Sequence, residues 1–143
     1  MKRHNARIIT IMSLYNIDLN KYNYEEAMDC FLAIKNLEQD YEYQVEIEYE
    51  YSEKMIKGVL ENIETLDDII SNSLINYTID RLSYVDRAIV RLATYEMKFL
   101  NLAKEVAIDE ALLITREYSS LENEAQVKFN NKLLDNIAKA IYE

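Results

Sequence analysis

The chain has a single glycine, Gly58, no proline, no tryptophan, one cysteine, Cys30, and one histidine, His4. Each shortage removes a class of protein. Loops that cradle phosphate need several glycines, so that backbone N–H groups can approach the ligand; neither a P-loop nor a dinucleotide fingerprint can be built here. Sheets joined by tight hairpins draw on Gly, Asn-Gly or Asp-Gly turns, and none is present. The economical reading is an all-α chain. A lone cysteine forms no internal disulfide, which suits a reducing cytoplasm. One Cys and one His cannot make a Cys/His metal site, and a carboxylate di-iron bundle needs two Glu-x-x-His motifs. A catalytic His–Cys pair would have to join His4, at the chain terminus, to Cys30, for which a buried structural thiol is the commoner role. No apolar run follows Lys2 and Arg3 as in a signal peptide, and none is long enough to cross a bilayer. The expectation is a cytoplasmic, non-enzymatic protein with no cofactor, no metal and no membrane partner.

What is present is a core-forming composition. Of 143 residues, 50% are hydrophobic, enough to fold without staples and too rich for disorder. A net charge of −10 argues against coating nucleic acid by charge alone. The charges are unevenly placed. The first ten residues hold Lys2, Arg3 and Arg7, with His4 and no acid, whereas residues 38 to 53 hold Glu38, Asp40, Glu42, Glu46, Glu48, Glu50 and Glu53 with no base. A basic tip on an acidic body points to a short, local anion contact.

Hydrophobic spacing predicts seven helices. Ile8, Ile11, Met12, Tyr15 and Leu19 lay a stripe along a helix from Arg3 to Leu19, with Arg3 and Arg7 sharing a face of its first turns. A turn over Asn20–Tyr24 leads to a second helix, from Glu25 to about Asn36, burying Ala27, Phe31 and Ile34. From Tyr41 to Tyr51 strict alternation argues for a strand, but no partner strand is visible, and Tyr49, Ile56, Val59, Leu60 and Ile63 form a helical stripe. Residues 46–64 are read as a helix and 38–45 as an acidic connection. Thr65, with Asp67 and Asp68, looks like the next helix start. Ser83 and Asp86 have capping-box spacing for a helix apolar on two sides, Val85, Ala88, Ile89, Leu92 and Phe99 on one and Val90, Ala93 and Met97 on the other. Helices at about 104–118 and 123–141 complete a single domain spanning residues 1–143, with no repeat and no linker rich in Ser, Gly or Pro.

Three ordered blocks carry a family resemblance. The run Ile79-Asp80-Arg81-Leu82-Ser83-Tyr84-Val85-Asp86-Arg87-Ala88-Ile89-Val90-Arg91-Leu92-Ala93-Thr94-Tyr95-Glu96-Met97 resembles the NusB pattern W-x-l-x-R-l-x-x-v-D-R-a-I-l-R-l-a-x-y-E-l. Val106-Ala107-Ile108-Asp109-Glu110-Ala111 is similar to v-a-I-N-E-A. Lys128-Phe129-Asn130-Asn131-Lys132-Leu133-Leu134-Asp135 is similar to k-F-v-N-g-v-L-D. Ala6, Arg7, Leu14 and Tyr15 fit the family's first helix. Departures are Tyr77 at the family tryptophan, Lys132 at the family glycine, and an N-terminal arginine run thinned to Lys2, Arg3, His4 and Arg7.

The resemblance implies two packed helical bundles and a transcription antitermination factor. Such a factor binds the boxA RNA of nascent ribosomal transcripts together with NusE, which is also a small-subunit ribosomal protein. The complex joins RNA polymerase and other Nus factors, and some family members form homodimers. On this reading Lys2, Arg3, His4 and Arg7 meet RNA, with three cations giving a log K against log salt slope of roughly −2. Phe129 stacks a base beside Lys128 and Asn131, and Tyr118 is a further stacking candidate. The alternative for the cations is a solvated terminus, and for Phe129 a half-buried core ring. Tyr15 and Asp86 match positions associated with the NusE contact, although Tyr15 also lies on its helix's expected core stripe and Asp86 also suits a helix cap. Arg81, Arg87 and Arg91 are read as intramolecular ion-pair partners. Two other readings remain open: a helical protein–protein scaffold with little RNA binding, and the fold's use as the RNA-recognition domain of rRNA methyltransferases, for which these 143 residues offer no cofactor-binding domain.

Overall fold

The structure is a computed structural model that describes residues 1–39, 46–119 and 124–143. Among these residues the chain forms seven α-helices and no strand: α1 Lys2–Asn20, α2 Tyr24–Gln39, α3 Tyr49–Glu61, α4 Ile63–Ser73, α5 Tyr84–Phe99, α6 Lys104–Tyr118 and α7 Ala125–Tyr142. A 3-10 turn, η1, spans Ile79–Arg81 between α4 and α5. The strand reading for 41–51 fails where it can be tested, since residues 46–48 are irregular and α3 begins at Tyr49; the rest of that alternation, and most of the expected connection 38–45, lie outside the described residues.

Two cores explain the architecture. Ile9 and Ile17 of α1 close with Ala27 and Phe31 of α2 and Ile56 of α3. The larger core surrounds α5, whose Ala88, Ile89, Val90, Leu92, Ala93 and Met97 meet residues from α1, α3, α4, α6 and α7. A helix apolar on two sides belongs between neighbours, and α5 is that helix.

Helix α1 corrects the expected pattern. Its buried Ile9 and Ile17, with Ala6, face α2 and α3, and its Arg7, Ile11 and Leu14 face α5, so it forms the wall shared by both cores. Of the stripe read as core, Met12, Tyr15 and Leu19 are exposed. The 3.6-residue period was real, but among the described residues that face is left largely uncovered.

Helix ends solve the shortage of glycine by other means. Lys21, Asn76 and Asn101 take left-handed backbone, with φ of 56°, 54° and 53°. The Lys21 N–H closes α1 onto the Ile17 carbonyl. Asn tolerates this region because its short polar side chain can bond locally. Asn62, not Thr65, divides α3 from α4; its side-chain amide turns back to the Gly58 carbonyl at 2.8 Å. Gly58 itself serves close approach, because a Cβ there would strike the Tyr95 ring on α5.

Candidate nucleic-acid interface

The basic tip of α1 is matched by acids supplied from elsewhere in the chain. No acid lies in the first turn of α1, which leaves Lys2 and Arg3 at the end of the helix dipole that disfavours cations. Residues 46–48 lie against this end: the Glu48 N–H donates to the Lys2 carbonyl at 3.3 Å, and the Asn5 amide donates to the Glu46 carbonyl at 3.0 Å. Glu48 takes the Arg3 Nε at 2.9 Å, and Glu46 lies 3.9 Å from Lys2. The Arg3 guanidinium also sits 4.1 Å over the Tyr51 ring. His4 is largely covered, its Nδ1 2.6 Å from Glu110 of α6 and its Nε2 3.9 Å from Glu117.

Arg7, expected among the RNA contacts, is instead the centre of a buried network and only 5% exposed. Its Nε and Nη2 donate to both oxygens of Glu96, at 2.9 to 3.1 Å, and its Nη1 lies 3.5 Å from Glu110. The Tyr51 hydroxyl donates to the same Glu96 at 2.6 Å. Burial works against the Arg7 charge, but the hydrogen bonds and charge of Glu96 outweigh it, and the guanidinium pKa rises. An ion pair so deeply buried presents almost no surface to a phosphate. The signal was in the sequence: Arg7 shares the stripe of Ile11 and Leu14, and Glu96 that of Ile89, Leu92 and Ala93. Opposite charges on two buried stripes must find one another.

Asp86, expected at a partner contact, is 3% exposed with both oxygens engaged inside the chain. One accepts from the Ser83 hydroxyl at 2.7 Å, the other from Ser119 at 2.7 Å and the Asn130 amide at 3.0 Å. Ser83 accepts the Asp86 N–H in return, so the capping function read from the spacing is present. Through Asn130, which also donates to Thr115, the same carboxylate ties the start of α5 to α6 and α7.

Tyr15 stands at the surface, 37% exposed and edge-on to Tyr84 with ring centres 6.3 Å apart. It lines a groove of about 450 Å³ with Ile8, Met12, Val85, Ile114 and Tyr118. Tyr118, half exposed, lines the same groove as Tyr15.

A second edge forms where η1 meets α7. Phe129 is half-buried, its ring 5.1 Å from that of Tyr77 at 60°. Lys128 and Asn131 flank it in sequence and are exposed. Of the three arginines read as ion-paired, Arg87 bonds Asp18 at 2.8 Å, and Arg91 bonds Asp18 and Asp67 at 3.2 and 2.9 Å. Arg81 departs from that reading. It is exposed, and no carboxylate among the described residues pairs with it; its guanidinium lies 4.5 Å over the Tyr77 ring.

These surfaces, an apolar groove and an edge of rings and cations on an all-helical frame, are those of a binding protein. No group of acids, Cys or His that could hold a metal exists among the described residues, and no helix among them is long and apolar enough to cross a membrane. The NusB family model matches residues 4–139, and the chain belongs to the NusB family, which comprises antitermination factors rather than enzymes. It is 36% identical over 138 residues to the transcription antitermination protein NusB of Bacillus licheniformis, with 96% of each chain covered. It superimposes on T. maritima NusB with a TM-score of 0.78 at 33% identity, covering 97% of this chain and 92% of that one. A structure of antitermination factors NusB and NusE in complex with dsRNA gives 0.79 at 28% identity, with 96% of each chain covered.

Proposed function

We propose that this protein, acting as one domain in the cytoplasm, binds the boxA RNA of nascent ribosomal transcripts jointly with NusE, and that the pair joins RNA polymerase and other Nus factors to make elongation resist termination. The observation that carries this reading is the surface pair described above: an uncovered apolar groove at Tyr15 and a half-buried Phe129 flanked by exposed Lys128 and Asn131. Exposed Met12, Tyr15 and Tyr118 give the groove the apolar content of a protein-docking face. A ring with adjacent cations is what single-stranded RNA requires, the base on the ring and the phosphate on the ammonium. The likeness to NusB in a NusB–NusE–dsRNA complex along nearly the whole chain supports joint binding of NusE and RNA; the chemistry of the two surfaces favours the groove for NusE and the edge for RNA. Asp86 enters as a positioning residue for α5, α6 and α7.

A second reading, a helical scaffold with little RNA binding, draws on one observation: Lys2, Arg3 and Arg7 at the tip of α1 each already face a carboxylate. Fluorescence anisotropy of labelled boxA RNA separates the two. The expected result is weak binding by the protein alone, tight binding once NusE is added, and loss with scrambled RNA. Phe129→Ala weakens the complex roughly 5- to 150-fold, the range for a lost base–aromatic stack. No boxA preference with NusE present rejects the proposal in favour of the scaffold; sedimentation of the same samples reports any homodimer.

A further inference from the structure

We infer that Arg81 is a nucleobase-stacking residue, the outer rung of a ladder that runs Phe129, Tyr77, Arg81 and extends the RNA surface by one base beyond Phe129. The inference rests on the RNA-binding reading above and names a contact that the family resemblance did not assign.

The ladder is built before any ligand arrives. Tyr77 lies between Phe129 and Arg81, with its ring centre 5.1 Å from the one and 4.5 Å from the guanidinium of the other. Its hydroxyl donates to the Arg81 carbonyl at 3.0 Å, which joins ring and η1 backbone in one unit. That short turn is anchored on both sides: Ile79 packs against the main core, and Leu82 is only 6% exposed. Asp80 and Arg81 therefore stand outward between two fixed points.

The charge of Arg81 remains available. Its neighbour Asp80 feels it only as the weakest of several influences, behind a hydrogen bond from Thr78, and makes no ion pair with it. A guanidinium that already covers a tyrosine has lost much of its rotamer freedom. One face is taken; the other can stack a base while its N–H edge meets a phosphate, as arginine planes do for unstacked bases in RNA loops. Arg87 and Arg91, held by Asp18 and Asp67, cannot do this.

The test compares Arg81→Ala and Arg81→Lys in anisotropy titrations of boxA RNA with NusE present, using wild-type binding as the reference. Absence of wild-type binding would reject the RNA reading itself and is seen before any variant is made. Given binding, Arg81→Ala should weaken it about 5- to 150-fold, with an unchanged melting temperature. Arg81→Lys, which keeps the charge but not the plane, should recover little of the loss. An RNA series with one abasic nucleotide at a time should contain one position at which wild type and Arg81→Ala bind equally. Full recovery with lysine, or a penalty independent of every base, would reduce Arg81 to a phosphate contact and overturn the stacking claim; unchanged binding by Arg81→Ala would remove the residue altogether.

Discussion

The tip of α1 and the edge between η1 and α7 both carry cations, and they differ in what those cations already hold. At the tip, Lys2 faces Glu46, Arg3 bonds Glu48, His4 meets Glu110, and Arg7 is buried against Glu96 and Glu110. At the edge, Arg81 and Lys128 are exposed and no ion pair with either is found among the described residues. The tip is the more basic stretch of sequence, and the edge is the more available positive surface. Affinity for an anion follows charge left uncompensated by the fold, which residue counting does not measure.

The largest expected effect concerns Arg7. If its work is structural, Arg7→Ala strands a carboxylate in the core and costs about 3–5 kcal/mol in denaturant unfolding. Arg7→Met combined with Glu96→Gln should recover most of that, since the amide oxygen still accepts from the Tyr51 hydroxyl and no charge is left buried. The double variant should bind boxA RNA with NusE as well as wild type does. A stable double variant that had lost RNA would return Arg7 to the interface and break the comparison.

Tyr51 gives the same network a pH signature of about 1 kcal/mol. Burial first, then the hydrogen bond to Glu96 and its charge, raise the hydroxyl pKa above the usual 10.0 against the opposing pull of Arg7 and Arg3. The folded state thus keeps a proton that the unfolded chain releases. The resulting stability is present below the unfolded pKa and is lost as pH climbs through it toward the folded value, by at most about 1.4 kcal/mol per pH unit. Tyr51→Phe should flatten the decline in stability between about pH 10 and 11. Some slope survives, because burial raises Tyr95 and Tyr142 in the same direction. Equal slopes in the two proteins would mean that the tip is less tightly clamped than its geometry indicates.

Much of the fold was legible because burial in a helical protein writes a period into the chain. Helix α6 has its expected extent, and Ser83 caps α5 as its spacing predicts. Periodicity identifies an apolar face without saying what covers it. For this reason Ile8, Ile11, Met12, Tyr15 and Leu19 read as core, while Ile11 is buried and Met12, Tyr15 and Leu19 are exposed. The site was less legible for a related reason. Compensation of charge is long-range: Arg3 meets Glu48 across 45 residues of chain, and His4 meets Glu110 across 106. No local pattern records such pairings. The stripe positions of Arg7 and Glu96 are the exception, because a charge on a buried face requires a partner. Arg81 gave no such signal, since beside Arg87 and Arg91 it looks like a third ion-pairing arginine and only the fold separates them.

The smallest expected effect tests whether the acids at the tip hold back RNA. Glu48 occupies Arg3 at 2.9 Å in an exposed pair, so its net worth to stability is small. Glu48→Gln should leave the melting temperature nearly unchanged and release one cation. With NusE and boxA RNA, that predicts a tightening of about 2- to 5-fold, and a log K against log salt slope steeper by about 0.7, the increment for one more phosphate on a single strand. Glu64→Gln, on the exposed side of α4, makes the same change in net charge away from the tip. Tightening by both variants alike would report only the general repulsion between an acidic protein and RNA. A gain confined to Glu48→Gln would mean that the tip is a latent anion surface covered by its own chain. No gain from either would leave the edge at Arg81, Tyr77 and Phe129 as the place where RNA is held.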